Sequence, residues 1–267
     1  MPSPLGTAVV TGASSGIGAV YADRLAARGH DLVLVARNAE RLDAEAARLR
    51  ERHGVAVRTL AADLATSAGQ RLVEDLLRTD TTVTLLVNNA GLAAITPLVQ
   101  SDVDAMEAII AVNVTALTRL TYAAVPGFVA RGTGTVVNIG SIVAIGPEIL
   151  NGVYGGSKAY VLGFSQSLAK ELAGTSVKVQ VVLPGATATE LWDKAGRPAS
   201  ELPAAMVMSA GDLVDAALVG LDRGEFATIP SLQDAADFEA YEAARQAMLP
   251  RLSNAKVAAR YGLPTTA

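Results

Sequence analysis

Cysteine is absent from the 267-residue chain, so disulfides, thiolate metal sites and cysteine nucleophiles are excluded. Histidine occurs only twice, at His30 just past an expected helix end and at His53 in Glu51-Arg52-His53-Gly54, and both positions read as loop or cap residues. A Ser/His/Asp hydrolase or a histidine-bound metal has little to be built from, and no metal is expected. Lysine stands at five positions only: 158, 170, 178, 194 and 256. The formal net charge of −4 supplies no basic face for a nucleic acid. No run reaches the roughly 18 apolar residues of a membrane-spanning helix. The first apolar stretch, Thr7 to Val10, passes straight into a glycine turn and leaves no room for a signal peptide. These absences predict a cytoplasmic protein with neither a membrane nor a nucleic acid as partner.

About half of the residues are hydrophobic (51%), enough to bury the core of one α/β domain. Short apolar strands alternate with helical patterns along most of the chain. Strand Thr7 to Val10 precedes a helix over Gly18 to Arg28, closed by Gly29; strand Asp31 to Ala36 precedes helix Glu40 to Arg52. Strand Val55 to Ala61, helix Ala68 to Arg78, strand Thr84 to Asn88 and a long helix from about Asp104 to Ala130 follow. Strand Thr135 to Ile139, helix Tyr154 to Ala173 and strand Lys178 to Leu183 continue the series. Strands rich in Val, Ile and Leu without polar alternation are those of a parallel sheet covered on both faces. The predicted class is α/β: a doubly wound, Rossmann-like parallel sheet with helices on both faces, in a single domain. That domain is expected over residues 1–233, with a substrate flap at about 188–210, helix Asp212 to Gly220 and a short strand Phe226 to Pro230. The charged stretch 234–267 reads as a helical extension packed on the same domain.

The turn Thr11-Gly12-Ala13-Ser14-Ser15-Gly16-Ile17-Gly18 follows the first strand and opens a helix. Glycines there allow a tight turn and bring a pyrophosphate close to the free N–H groups and positive dipole end of the helix. The spacing is G-x-x-x-G-x-G, not the general G-x-G-x-x-G, and a packing turn is the competing reading. Cofactor choice is made at the end of the second strand. Asp31 begins that strand and so lies at the far edge of the sheet, whereas Ala36 and Arg37 lie at the ligand edge. With no carboxylate to repel a 2′-phosphate and a guanidinium able to hold one, NADP(H) is the expected cofactor; a solvated loop arginine is the alternative.

Tyr154-Gly155-Gly156-Ser157-Lys158 puts a phenol and an ammonium on one helical face, and no other tyrosine of the six has a lysine four residues on. A phenol with a pKa near 10 is a poor proton carrier at neutral pH, and an adjacent positive charge favours its anion. A Tyr-x-x-x-Lys pair alone is commonly a surface pair.

Four blocks in order make the chain resemble the short-chain dehydrogenase/reductase family: Thr11-Gly12-x-x-x-Gly16-x-Gly18, Asn88-Asn89-Ala90-Gly91, Ser141 after its strand, and Tyr154-x-x-Ser157-Lys158. The likeness covers about residues 5–230. It implies that Tyr154 exchanges the proton of the carbonyl or alcohol oxygen, that Ser141 holds that oxygen, that Lys158 binds the nicotinamide ribose and tunes the tyrosine, and that Asn113 orders a proton relay. It also implies cofactor contacts from Ser14, Ser15 and Ile17 in the turn, from Asp63 and Leu64 after the third strand, from Asn88, Ala90 and Gly91, and from Pro184, Gly185, Thr187 and Thr189. Ser14 and Ser15 touch phosphate or only shape the turn; Asp63 caps a helix on the competing reading.

The expected pocket wall is Val143, Ala144, Ile145, Ile149 and Leu150, with Leu191 and Trp192 from the flap, which suits a hydrophobic carbonyl or secondary alcohol as small-molecule substrate. Packing of these residues under the flap or against a second subunit is the other reading. Glu148 is placed at the mouth or in solvent. A homodimer and a homotetramer both stay open, because Thr228-Ile229-Pro230 runs into the charged extension instead of ending the chain. Rival functions are a lyase or epimerase on the same fold and a non-catalytic dinucleotide sensor; net hydride transfer to an external substrate separates them.

Overall fold

Strand residues of alternating facing build both layers of the core. The computed structural model describes residues 3–263. Among them, strands β1 (Thr7–Thr11), β2 (Asp31–Ala36), β3 (Val57–Ala61), β4 (Val83–Asn88), β5 (Gly134–Ile139), β6 (Val177–Val182) and β7 (Ala227–Thr228) form one sheet in the order β3-β2-β1-β4-β5-β6-β7. Every pairing is parallel. Successive strand residues point to opposite faces. Ala8, Val10, Leu32 and Leu34 pack beneath helices α1 (Gly16–Ala27), α2 (Ala39–His53) and α8 (Ala210–Arg223). Val9, Val33, Val35 and Leu86 pack beneath α3 (Ser67–Thr79), α5 (Leu117–Arg131) and α6 (Gly152–Glu171). The doubly wound sheet with helices on both faces is thus present.

Local corrections have local causes. β3 is an edge strand with Arg58 and Ala61 exposed, so it is not buried on both faces as expected. The last strand is only two residues long. The long helix expected over 104–130 is α4 (Val103–Ile110), a π-turn over Ala111–Ala116, and α5, run together. This same run, Val103–Arg131, is long and apolar enough to span a membrane: it has no 18 consecutive apolar residues, as expected, but an 18-residue window within it has a mean hydropathy of 1.5. Half of that window is buried inside the fold, as in a core helix.

The chain divides into two compact units, Met1–Ser231 and Leu232–Ala267. In the second, α9 (Ala235–Leu252) is capped by Asp234, stacks Phe238 on Tyr241 at 5.8 Å and buries none of its side chains. Residues 264–267 of the expected extension lie outside the described residues.

Candidate active site

The sheet order reverses between β1 and β4, and there the chain leaves the two strands toward opposite faces, opening a crevice at their C-terminal ends. The glycine turn lines it. Gly12 (φ +68°) and Gly16 (φ +55°) adopt left-handed backbone that other residues resist. A Cβ on Gly12 would lie 2.8 Å from Asn89 Nδ2, and one on Gly18 would collide with the Gly12 carbonyl. Asn89 fixes the turn by donating from Nδ2 to the Thr11 carbonyl (2.8 Å), while Thr11 Oγ1 accepts from the backbone of Asn89 and Ala90 (3.0 Å each). Ser15 precedes α1 without capping it through its side chain, so the first N–H groups of that helix remain for an anion. Ser14 and Ile17 are half-buried beside it.

Around this cradle the expected cofactor residues differ in what they offer. Arg37 is exposed and forms no ion pair among the described residues. Asp31, at the opposite edge, accepts from the backbone of Ser3 (2.9 Å) and Ala56 (3.0 Å). Asp63 is half-buried and accepts from Ala65 N (3.0 Å), while Thr66 is the cap of α3; Leu64 is buried. Asn88 turns its side chain into the core, donating to Thr121 Oγ1 (3.1 Å) and Asn138 Oδ1 (2.9 Å), so it ties β4 to α5 and β5 and does not reach the crevice with its amide. Asn138 extends the line to Ser165 of α6 (3.0 Å). Thr189 packs beside Gly16, whose Cβ would meet its methyl at 3.2 Å. Pro184 accepts from Ile142 N at 2.9 Å, Thr187 is buried, and Gly185 is half-buried.

The four residues Asn113, Ser141, Tyr154 and Lys158 are all buried. Lys158 Nζ donates to the Ile139 carbonyl (2.9 Å) at the end of β5 and lies 5.9 Å from the Tyr154 ring centre. Burial pushes its pKa down to about 8. Burial also raises the Tyr154 phenol above its ordinary value, and a hydrogen bond with Ser141 opposes that in part. Ser141 Oγ lies 3.3 Å from the Pro184 carbonyl and accepts from Val143 N. Asn113 sits in the π-turn and clasps Leu92, accepting from its N–H (2.8 Å) and donating to its carbonyl (2.9 Å). It also donates to Ser157 Oγ (3.0 Å), which donates to the Tyr154 carbonyl (2.8 Å). Gly91 lies against this group: its Cβ would come within 3.7 Å of Lys158 Nζ.

On the substrate side, Val143 and Ala144 are buried and Leu150, Leu191 and Trp192 half-buried, whereas Ile145 (38% exposed) and Ile149 (60%) face solvent. The last two therefore offer apolar surface at the rim and not a packed wall; Glu148 is exposed as well. Gly155 lets the Pro147 turn approach α6, since a Cβ would lie 2.5 Å from the Pro147 carbonyl oxygen. The flap contains α7 (Glu190–Lys194), whose Glu190 takes Arg41 of α2 bidentately at 2.7 and 3.2 Å. Two contributors escape a sequence reading. Arg41 and Glu190 are 149 positions apart. Asn151, the cap of α6, does have a local signal: an asparagine immediately before a helix start.

The histidines lie elsewhere. His30 Nδ1 meets the Gly6 carbonyl at 3.3 Å. His53 ends α2, and its Nε2 is 3.1 Å from buried Asp23, so it belongs to a charge network and not to a free loop. That network borders a 240 Å³ cavity between α1 and α2, where Arg24, Arg48 and Arg52 are all paired with carboxylates. Among the described residues no group of three His, Asp or Glu is placed to hold a metal ion.

The family model for the short chain dehydrogenase matches residues 6–199. A short-chain dehydrogenase from Sphingobium yanoikuyae, solved in complex with NADPH, is 50% identical with a TM-score of 0.93, over 98% of this chain and 100% of that one. The bulky-bulky ketone specific alcohol dehydrogenase from Comamonas testosteroni is 43% identical with a TM-score of 0.89, over 97% of this chain and 99% of that one. Among curated proteins, a very-long-chain 3-oxoacyl-CoA reductase from Pyrenophora tritici-repentis is 37% identical over 190 residues, which are 67% of this chain. The chain spans about half (54%) of that relative's length.

Proposed function

Because the chain belongs to the short-chain dehydrogenase family, we propose that it moves a hydride between NADP(H) and a ketone or secondary alcohol with bulky apolar substituents, with Tyr154 as general acid and base. The observation that carries this reading is the buried meeting of Tyr154, Ser141 and Lys158 beside the glycine cradle. The residues fit a dinucleotide phosphate: the cradle is open where Cβ atoms would fill it, and Arg37, just after β2, forms no ion pair among the described residues. Gly12, Gly16 and the α1 N-terminus would hold the pyrophosphate, Arg37 the 2′-phosphate, and Lys158 the nicotinamide ribose. When bound, the reduced nicotinamide supplies the hydride that a carbonyl carbon accepts.

The chain's own groups manage the oxygen. The Tyr154 hydroxyl keeps its proton in the buried site and donates it to the carbonyl oxygen as negative charge develops there. The Ser141 hydroxyl donates a hydrogen bond to the same oxygen, as an oxyanion donor does. The Lys158 ammonium stabilises the phenolate that remains, and this is also the form that takes a proton from an alcohol in the reverse direction. NADPH in the Sphingobium protein supports the cofactor, and the Comamonas enzyme's ketone specificity supports the substrate class. Val143, Leu150, Leu191 and Trp192, with Ile149 at the rim, supply apolar walls for such groups.

The test is the rate of NADPH or NADH consumption with ketones of graded bulk. Turnover with bulky ketones and a preference for NADPH are expected. Replacement Arg37→Ala should cut the NADPH-over-NADH ratio of kcat/KM by roughly 10–100-fold, the worth of a charge-assisted contact. A preference for NADH, or a ratio untouched by the replacement, would refute the NADP assignment.

A further inference from the structure

Residues 92–101 connect Gly91, which lies against Lys158, to the approach of α4. Two buried asparagines hold this loop. Asn113 takes its first residue through both hydrogen bonds to Leu92. Asn151 takes its far end, with Nδ2 donating to the Thr96 carbonyl (2.6 Å) and to Ser101 Oγ (3.2 Å). The Ser101 hydroxyl closes the knot, within 2.9 Å of the Thr96 carbonyl and 3.0 Å of the Pro97 carbonyl as acceptors.

The other end of the same amide faces the catalytic helix. Asn151 Oδ1 accepts from the backbone N–H of Val153 (2.9 Å) and of Tyr154 itself (3.3 Å). Capping needs only an acceptor, which Asp, Ser or Thr would also provide. Asparagine alone in that set adds an NH2 that donates twice while its carbonyl caps. Its two ends thus join the backbone of Tyr154 to the loop beside it. That loop carries buried Ala94, half-buried Ile95 and the exposed Leu98 (84%) and Val99 (86%). It is tied beside Lys158 through Gly91 and beside the start of α6 through Asn151, so a shift of the loop moves apolar side chains relative to Tyr154.

We propose that Asn151 is a positioning residue that fixes the spacing between Tyr154 and the 92–101 loop and so selects how bulky a ketone reaches Tyr154. The kinetic part rests on the ketone reduction proposed above; the structural part does not. Asn151→Ser retains a capping acceptor and loses the reach to Thr96 and Ser101, whereas Asn151→Ala loses both. In hydrogen–deuterium exchange, Asn151→Ser should raise exchange in peptides of 92–101 and leave those of 152–158 near wild type, and Asn151→Ala should raise both. In steady-state kinetics, Asn151→Ser should raise KM for a ketone with two bulky substituents at least tenfold more than for a methyl ketone. NADPH affinity, read by fluorescence titration, should move less than twofold. Unchanged exchange in 92–101 for Asn151→Ser overturns the proposal whether or not the wild type reduces ketones. So does an equal KM change for both ketones in an active enzyme. A wild type inactive on every ketone, with the exchange pattern as expected, overturns the ketone reading and leaves the loop linkage standing.

Discussion

On the β5–α6 side of the crevice, Tyr154, Lys158, Ser141 and Asn113 are buried and linked by hydrogen bonds to strand ends, to one another and to the backbone of the neighbouring loop. On the flap side, α7 buries none of its residues, and Glu190 reaches Arg41 across an ion pair in which both side chains are more than 40% exposed (43% and 46%). Each buried hydrogen bond contributes about 1 kcal/mol, and orphaning a buried partner costs about 1–3 kcal/mol. An exposed ion pair contributes about 0–1 kcal/mol and weakens with salt. Loosening the wall that carries the proposed acid/base is therefore several times as costly as loosening the flap wall. Fixed geometry suits proton transfer, and a weakly held flap suits entry and release.

The largest effect is expected on the rigid wall. Tyr154→Phe removes the proposed proton donor while keeping the ring that packs there, so kcat should fall by about 10²–10⁴ while NADPH affinity measured by titration stays within twofold. Activity close to wild type would take Tyr154 out of the mechanism.

Next comes Lys158→Met, which should lower kcat about 10²-fold and at the same time stabilise the protein. The native amine titrates near 8 and the unfolded one near its ordinary 10.5. Between those values the native state holds fewer protons, so wild-type stability gains as pH rises through that window. At neutral pH the buried charge costs on the order of 3 kcal/mol. Denaturant unfolding of both proteins should show the variant's advantage at pH 7 shrinking toward pH 10. An advantage that does not depend on pH would mean that the charge is not the cause.

The smallest effect belongs to the flap. Glu190→Gln should change stability by less than about 1 kcal/mol and shift the NADPH dissociation constant two- to threefold, and added salt should reproduce that shift in the wild type only. Hydrogen bonds from Arg41 and Lys194 hold Glu190 down at about 2, so what the strap adds to stability is full above the ordinary carboxylate value of 4.5 and is lost as pH falls from there through about 2. A tenfold or larger loss would make the flap part of the rigid framework and erase the contrast.

What could be read from sequence follows the range of the interactions. The glycine turn, the Tyr154–Lys158 pair and the strand–helix alternation are local patterns, and each lies where its residues predict. Helix ends were less legible: α1 starts at Gly16, inside the glycine turn, because Ser15 supplies the extended residue before it. The direction of Asn88 depends on Thr121 and Asn138, distant in sequence, and no spacing around the Asn88-Asn89 pair tells which amide turns inward. Exposure of Ile145 and Ile149 is equally hidden, since an apolar residue in a loop reads the same whether it is packed or offered to a ligand. The Arg41–Glu190 strap needs the folded sheet to bring its ends together.

The widened turn at Ala111–Ala116 has a bearing on how this chain can vary. A π-turn is an α-helix that has absorbed an extra residue, so everything beyond it is rotated against everything before it. One residue corresponds to about 100° of helical rotation. Deleting one position between Asn113 and α5 (114, 115 or 116) would rewind the helix into regular register and swing the two halves apart by that angle. With the α5 face held by its packing against the sheet, Asn113 would turn off Leu92 and Ser157; with Asn113 held, Leu117, Leu120 and Phe128 would leave the core. Point changes in this segment cost one side chain, whereas a gap costs one whole side of the helix.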